Sequence, residues 1–133
     1  MTLPVTAFTT AICAILLLIL GIDTVRHRLR AKVAFGDQGD VKLISAARSH
    51  GNLAEHAPIV ILMMAFLEMS RANHLALMAV GALFLAGRVS HVFGLYLPVN
   101  ENPPLPRKVG VIITWGVMAG LSGWMLWRLA TLN

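Results

Sequence analysis

No charged side chain occurs between Met1 and Ile22, nor between Val109 and Trp127. A helix that crosses a bilayer needs roughly 20 mostly apolar residues, so each run is long enough to be a span by itself. A soluble fold of this size could not hide them. The chain has 133 residues, 57% of them hydrophobic and 13% charged, whereas an ordinary soluble domain is about a quarter charged. Lipid is therefore the expected solvent.

Two further spans lie between these runs. Ala57 to Met69 reads APIVILMMAFLEM, and the residues after His74 are apolar as far as Arg88. The expected fold class is an all-α integral membrane protein, a four-transmembrane-helix bundle. One domain over 1–133 is expected, with helices at about 3–34, 42–70, 75–97 and 107–129. Gly36-Asp37-Gln38-Gly39-Asp40 and Arg71-Ala72-Asn73-His74 read as turns. Residues 98–106, with Pro98, Pro103, Pro104 and Pro106, read as a loop, because proline removes a backbone donor. The first run is not expected to be a cleaved signal, since its basic residues follow it instead of preceding it.

The net charge of +5 is not a nucleic-acid signature, because the basic residues sit at segment ends. They set orientation instead. Arg26, Arg28, Arg30, Lys32 and Lys42 flank one loop, and Arg107 and Lys108 flank another. Both termini are thus expected to face away from the cytoplasm. In that topology Arg48, Asn52 and Glu55 of helix 2 fall at the same end of the bundle as Arg88 and His91 of helix 3. The opposite half is expected to be apolar.

Arg48, Asn52 and Glu55 are spaced i, i+4, i+7 and so share one helical face. Charged groups inside a membrane helix are costly and normally face the bundle interior or a wet cavity. A guanidinium, an amide and a carboxylate on one stripe suit a zwitterionic ligand: the arginine takes a carboxylate as a fork, the glutamate an ammonium. The competing reading is a structural network that staples helices, with Arg88 bridged to Glu55 and His91 as a satisfied hydrogen-bonding residue. His50 and His56 are six apart and diverge on a helix, so they make a poor metal pair. No HExxH, glycine-rich phosphate loop or His–carboxylate triad is present, and no metal is expected. The single Cys13 excludes a CxxC redox pair.

Together the motifs resemble a known family. Arg48-Ser49-His50-Gly51-Asn52-Leu53-Ala54-Glu55-His56-Ala57-Pro58 is similar to the R-x-x-x-N-x-x-E-x-x-P signature of the MAPEG family, the membrane-associated proteins in eicosanoid and glutathione metabolism. Three more pieces follow in order: Val25 to Asp37, VRHRLRAKVAFGD, at the end of helix 1; Gly87-Arg88-Val89-Ser90-His91; and Leu105-Pro106-Arg107. The resemblance runs from about residue 15 to 128, and is greatest to the small bacterial members.

That resemblance implies a homotrimer in the bacterial inner membrane, among membrane lipids. It implies glutathione as co-substrate near the cytoplasmic side, hydrophobic small-molecule electrophiles or lipid peroxides as second substrate, and transferase or peroxidase chemistry. Arg48, Asn52 and Glu55 would hold glutathione's charged ends. Arg28 or Arg30 would supply the helix 1 arginine, Arg88 and His91 would line the site, and Arg107 would stabilise the thiolate. A free thiol has a pKa near 8.5, which a nearby guanidinium lowers. The sequence departs from the family at one point. The helix 3 tyrosine expected four residues after His91 falls on Leu95; Tyr96, one residue on and about 100° of helix rotation away, is the candidate glutathione-binding tyrosine in its place. A non-catalytic ligand-binding member of the fold and a small multidrug-type transporter are the alternatives.

Overall fold

The computed structural model describes residues 2–98 and 102–131. Residues 99–101 of the expected 98–106 loop lie outside it. Four helices account for most of the chain: α1 (Pro4–Ala31), α2 (Val41–Met69), α3 (His74–Tyr96) and α4 (Leu105–Thr131). Each is long and apolar enough to cross a membrane, with mean hydropathies of 2.5, 1.3, 1.7 and 1.7 over its best window. The helices run alternately up and down. The basic loops therefore gather at one end, and the termini with the α2–α3 turn gather at the other.

The helix boundaries follow local chemistry. α1 stops at Ala31, three residues short of the expected end, because Lys32 adopts a left-handed conformation (φ 54°) and returns its N–H to the carbonyls of Arg28 and Leu29. Gly36 (φ 71°) and Gly39 (φ 79°) make the turn possible. Asp40 caps α2 by accepting from Leu43 N at 2.9 Å, and Asn73 caps α3 by accepting from Ala76 N at 2.9 Å. α4 begins at Leu105, two residues earlier than expected. Pro106 is thus in its first turn, where a missing N–H costs nothing.

Among the described residues every helix pair is in contact except α1 with α4. Leu53, Val60, Met64, Leu67, Leu77, Phe84 and Leu121 form the buried centre. The closest approach is between α3 and α4. A Cβ on Gly94 would lie 2.2 Å from Arg107 N, one on Gly87 2.6 Å from Ile113 Cγ2, and one on Gly110 2.6 Å from the Gly87 carbonyl. Backbone touches backbone here, as small residues permit in membrane bundles. By contrast, Gly116, Gly120 and Gly123 have nothing near them. That small-residue stripe of α4 faces out of the bundle.

The termini end corrects one expectation, since it is not merely apolar. Leu3 precedes α1 without offering a side-chain cap. Glu68, near the end of α2, supplies one from a distance: its carboxylate accepts from Val5 N at 3.0 Å and Thr6 N at 2.8 Å while only 8% exposed. Two orphan donors are satisfied, and a negative charge sits at the positive end of the α1 dipole. His74 Nδ1 is 3.8 Å from the same carboxylate, and an Arg128 guanidinium nitrogen donates to the Ser70 carbonyl.

Two stability measurements check this account. Gly94→Ala should lower the thermal midpoint in detergent sharply, because its methyl has no room. Gly51→Ala, whose nearest neighbour is Glu55 Oε1 at 4.0 Å, should hold the midpoint or raise it, the helix interior gaining up to about 1 kcal/mol of stability. Glu68→Ala should cost about 2 kcal/mol or more, by stranding two buried helix N–H groups, whereas the exposed Glu55→Ala should cost under about 0.5 kcal/mol.

Candidate functional site

The polar centre of the molecule is a single guanidinium. Arg88 is 2% exposed and lies roughly 12 Å of helix inside the end of α3. Its Nη1 donates to Asn52 Oδ1 of α2 at 2.5 Å. Its Nη2 donates to the Gly110 carbonyl of α4 at 3.2 Å and to Thr114 Oγ1. Thr114 in turn donates to the Gly110 carbonyl at 2.8 Å. The guanidinium carbon stands 5.8 Å from the Phe84 ring centroid. Arg88 Nε is sealed from solvent without a partner.

The expected bridge from Arg88 to Glu55 does not form. Asn52 and Glu55 are three residues apart, about 60° from coincidence around the helix. That offset puts the amide at the inner edge of the stripe and the carboxylate outside. Arg48 and Glu55 are both exposed and Asn52 half-buried. Among the described residues neither Arg48 nor Glu55 takes part in an ion pair. The stripe thus presents two charges of opposite sign on the outer surface of the bundle, neither ion-paired among the described residues.

Arg107 is held in place through its backbone. Its own carbonyl lies 3.2 Å from His91 Nδ1, which must carry the proton to face an acceptor. Ser90 Oγ donates to the neighbouring Pro106 carbonyl at 2.9 Å. Gly94 lets the Arg107 backbone settle directly on α3. His91 therefore orients the start of α4, and its ring lies against that backbone. The Arg107 side chain is half-buried and enters no ion pair among the described residues.

Tyr96 takes a separate place. Its hydroxyl donates to Asp23 Oδ2 of α1 at 2.6 Å, and His27 Nε2 is 3.7 Å from the other carboxylate oxygen. Five residues beyond His91 is about 140° around the helix, so the phenol meets α1 while His91 meets α4. Leu95, where the family tyrosine was expected, is buried. Arg28 is turned to the α1–α2 loop, donating to the Gly36 carbonyl at 2.9 Å and the Ala34 carbonyl at 3.4 Å. Arg30 is exposed. His50 packs its ring against Gly21, 3.5 Å from where a Cβ would be, and His56 Nδ1 binds the Asn52 carbonyl at 2.8 Å.

The chain therefore brings Asn52, Arg88, His91 and the Arg107 backbone together. It leaves Arg48 and Glu55 on the outside, and it separates Arg28, Arg30 and Tyr96 from that cluster. Three participants were not foreseen. Thr114 lies inside an uncharged run that signals only a span. Glu68 closes an apolar run, and the absence of a capping side chain before Pro4 was the sign that α1 needed one. Asp23 is the lone acid of α1, and its use depends on α3.

The chain is a small four-helix membrane protein in which a buried arginine ties the amide of an R-x-x-x-N-x-x-E stripe to the glycine-lined start of the fourth helix. The MAPEG family model matches residues 6–127, and the chain belongs to the MAPEG family. It is 40% identical over 111 residues to inner membrane protein YecN of Escherichia coli K12, covering 84% of this chain and 82% of that one. The YecN of Escherichia coli O6:H1 matches to the same extent. No solved structure matches the chain.

The site geometry carries a prediction of its own. Arg88→Ala should lower stability by about 3 kcal/mol or more, because it opens a cavity, strands the Asn52 oxygen and takes a donor from Thr114 and the Gly110 carbonyl. Arg48→Ala should change it by under about 0.5 kcal/mol. Denaturant titration of the detergent-solubilised protein reads both.

Proposed function

We propose that this protein is a glutathione-dependent transferase or peroxidase of the inner membrane, acting on hydrophobic electrophiles or lipid peroxides. One observation carries the reading: Arg48, Asn52 and Glu55 form an outward stripe in which, among the described residues, neither charge is ion-paired. A lipid-facing surface would not tolerate such a stripe. A ligand with carboxylates and an ammonium neutralises it, and glutathione has both. The relatives' name and the four apolar helices support inner-membrane residence. The distribution of basic residues supports a cytoplasmic location for the stripe.

Self-association is part of the proposal, as a homotrimer. The stripe is open on one side in a single subunit. The outward face of Gly116, Ala119, Gly120 and Gly123 offers a second copy close approach. Arg107, placed by His91 and Gly94, supplies a guanidinium for the thiolate. The thiolate's lone pair forms the new C–S bond as the electrophile's leaving group departs, so no protein nucleophile is needed.

A specific feature favours a second reading, a family member that binds without turnover. Leu95 occupies the family tyrosine's position and Tyr96 is committed to Asp23, so the helix 3 phenol does not join the cluster. A multidrug-type transporter fits less well. The one carboxylate of α1, Asp23, is at its end and is bonded to Tyr96.

Calorimetric titration with glutathione separates these readings when combined with turnover of an aryl halide. Arg48→Ala and Glu55→Ala should each weaken binding by about 10-fold or more, the scale of a lost charge-assisted hydrogen bond. Unchanged affinity would make them surface charges only. Arg107→Ala should slow turnover at neutral pH with less than about a 3-fold loss of binding, since it acts on the thiolate more than on the bound ground state. If rate and binding both survive, Arg107 is only a membrane-surface anchor. Binding without turnover in the native protein supports the second reading.

A further inference from the structure

We infer that Arg88 is a positioning residue that fixes which end of the Asn52 amide a ligand meets, and so sets the chemistry that Asn52 can read. An asparagine amide offers an acceptor oxygen at one end and two N–H donors at the other. A guanidinium has donors only. Whatever faces Arg88 Nη1 across 2.5 Å must therefore be the Asn52 oxygen. The opposite end, Nδ2, is left pointing away from the Arg88 cluster. It has no protein hydrogen-bond partner among the described residues, and it is not among the sealed polar atoms. Asn52 is half-buried, between the exposed Arg48 and Glu55.

Arg88 cannot easily let go. It is enclosed by α2, α3 and α4, with its other nitrogen held by the Gly110 carbonyl and Thr114. No carboxylate lies within ion-pair distance of it among the described residues. The Asn52 oxygen is thus one of the few acceptors available to a buried cation, and turning the amide over would set N–H against N–H. Asn52 faces the ligand as a donor only.

The stripe then reads donor, donor, acceptor along α2: the Arg48 guanidinium, the Asn52 N–H pair and the Glu55 carboxylate. This assigns Asn52 to a carboxylate of the ligand, alongside Arg48, and leaves the ammonium to Glu55 alone. The inference rests on the glutathione reading above and narrows it. A thiol peptide whose carboxylate is blocked should be discriminated against, while blocking elsewhere on the peptide should matter less.

The test uses the full-length protein in detergent, titrated calorimetrically with glutathione and with its glycyl monoethyl ester. The decisive variant is Asn52→Asp, which pairs with Arg88 as an ion pair but turns oxygen instead of N–H toward the ligand. The expected result is a thermal midpoint at or above that of the native protein, with glutathione binding weakened about 10-fold or more. Arg88→Lys, still donor-only, should keep affinity within about 3-fold of native. If Arg88→Lys does not fold, Asn52→Asp carries the test by itself. Native affinity in Asn52→Asp overturns the inference and leaves the glutathione site standing, as does a midpoint below native. No saturable glutathione binding by the native protein overturns both. The ester identifies the carboxylate. Weakening of about 10-fold or more places Asn52 and Arg48 on the glycyl group, and unchanged binding places them on the γ-glutamyl one.

Discussion

A buried guanidinium that meets no carboxylate among the described residues is the constraint around which this bundle is arranged. Taking a charge out of water costs several kcal/mol even after relaxation, so Arg88 has to be met by neutral acceptors from several directions. Asn52 comes from α2, and the Gly110 carbonyl and Thr114 come from α4. A helical carbonyl can serve a second donor only if the two helices nearly touch. Gly87 and Gly110 allow that. Removing side chains at the α3–α4 contact and placing a cation inside it are two parts of one arrangement.

The placement of Arg107 follows from the same contact. Gly94 brings the α3 backbone against Arg107, and His91 and Ser90 hold the carbonyls of Arg107 and Pro106. The first turn of α4 is thereby fixed by its main chain, which leaves its guanidinium free for other work. The termini end uses the opposite device. There Glu68 closes the open donors of α1, so a buried anion serves one end as a buried cation serves the middle. Between them lies an apolar centre of Leu53, Val60, Met64 and Phe84.

Much of this was legible in the sequence, for reasons that can be stated. The spans were readable because the cost of charge in hydrocarbon keeps long runs clean, as from Val109 to Trp127. The turns were readable because Gly36, Gly39, Asp40 and Asn73 each have a local backbone task. Family membership was readable because the Arg48–Pro58 signature and the Arg88, His91 and Arg107 motifs fall in order. Pairings across helices were less accessible. Periodicity puts Asn52 and Glu55 on one stripe, but a stripe is wide, and the rotation of α2 against α3 decides which edge meets Arg88. Tyr96 shows the same limit, since one residue of offset sends it to Asp23 on another helix. Which glycines matter was also hidden: Gly116, Gly120 and Gly123 have open space around them, whereas Gly81, Gly87, Gly94 and Gly110 lie against neighbouring helices.

The central claim is that this surface holds glutathione and turns its thiol into a thiolate. The most direct measurement is the thiolate absorbance of glutathione bound to the purified protein, followed as a function of pH. The account predicts that bound glutathione ionises at a pH clearly below the value of about 8.5 for a free thiol, and that Arg107→Ala moves the transition back up. Bound glutathione that ionises at the free value, with no response to Arg107, would contradict it and leave a protein that holds the peptide without activating it.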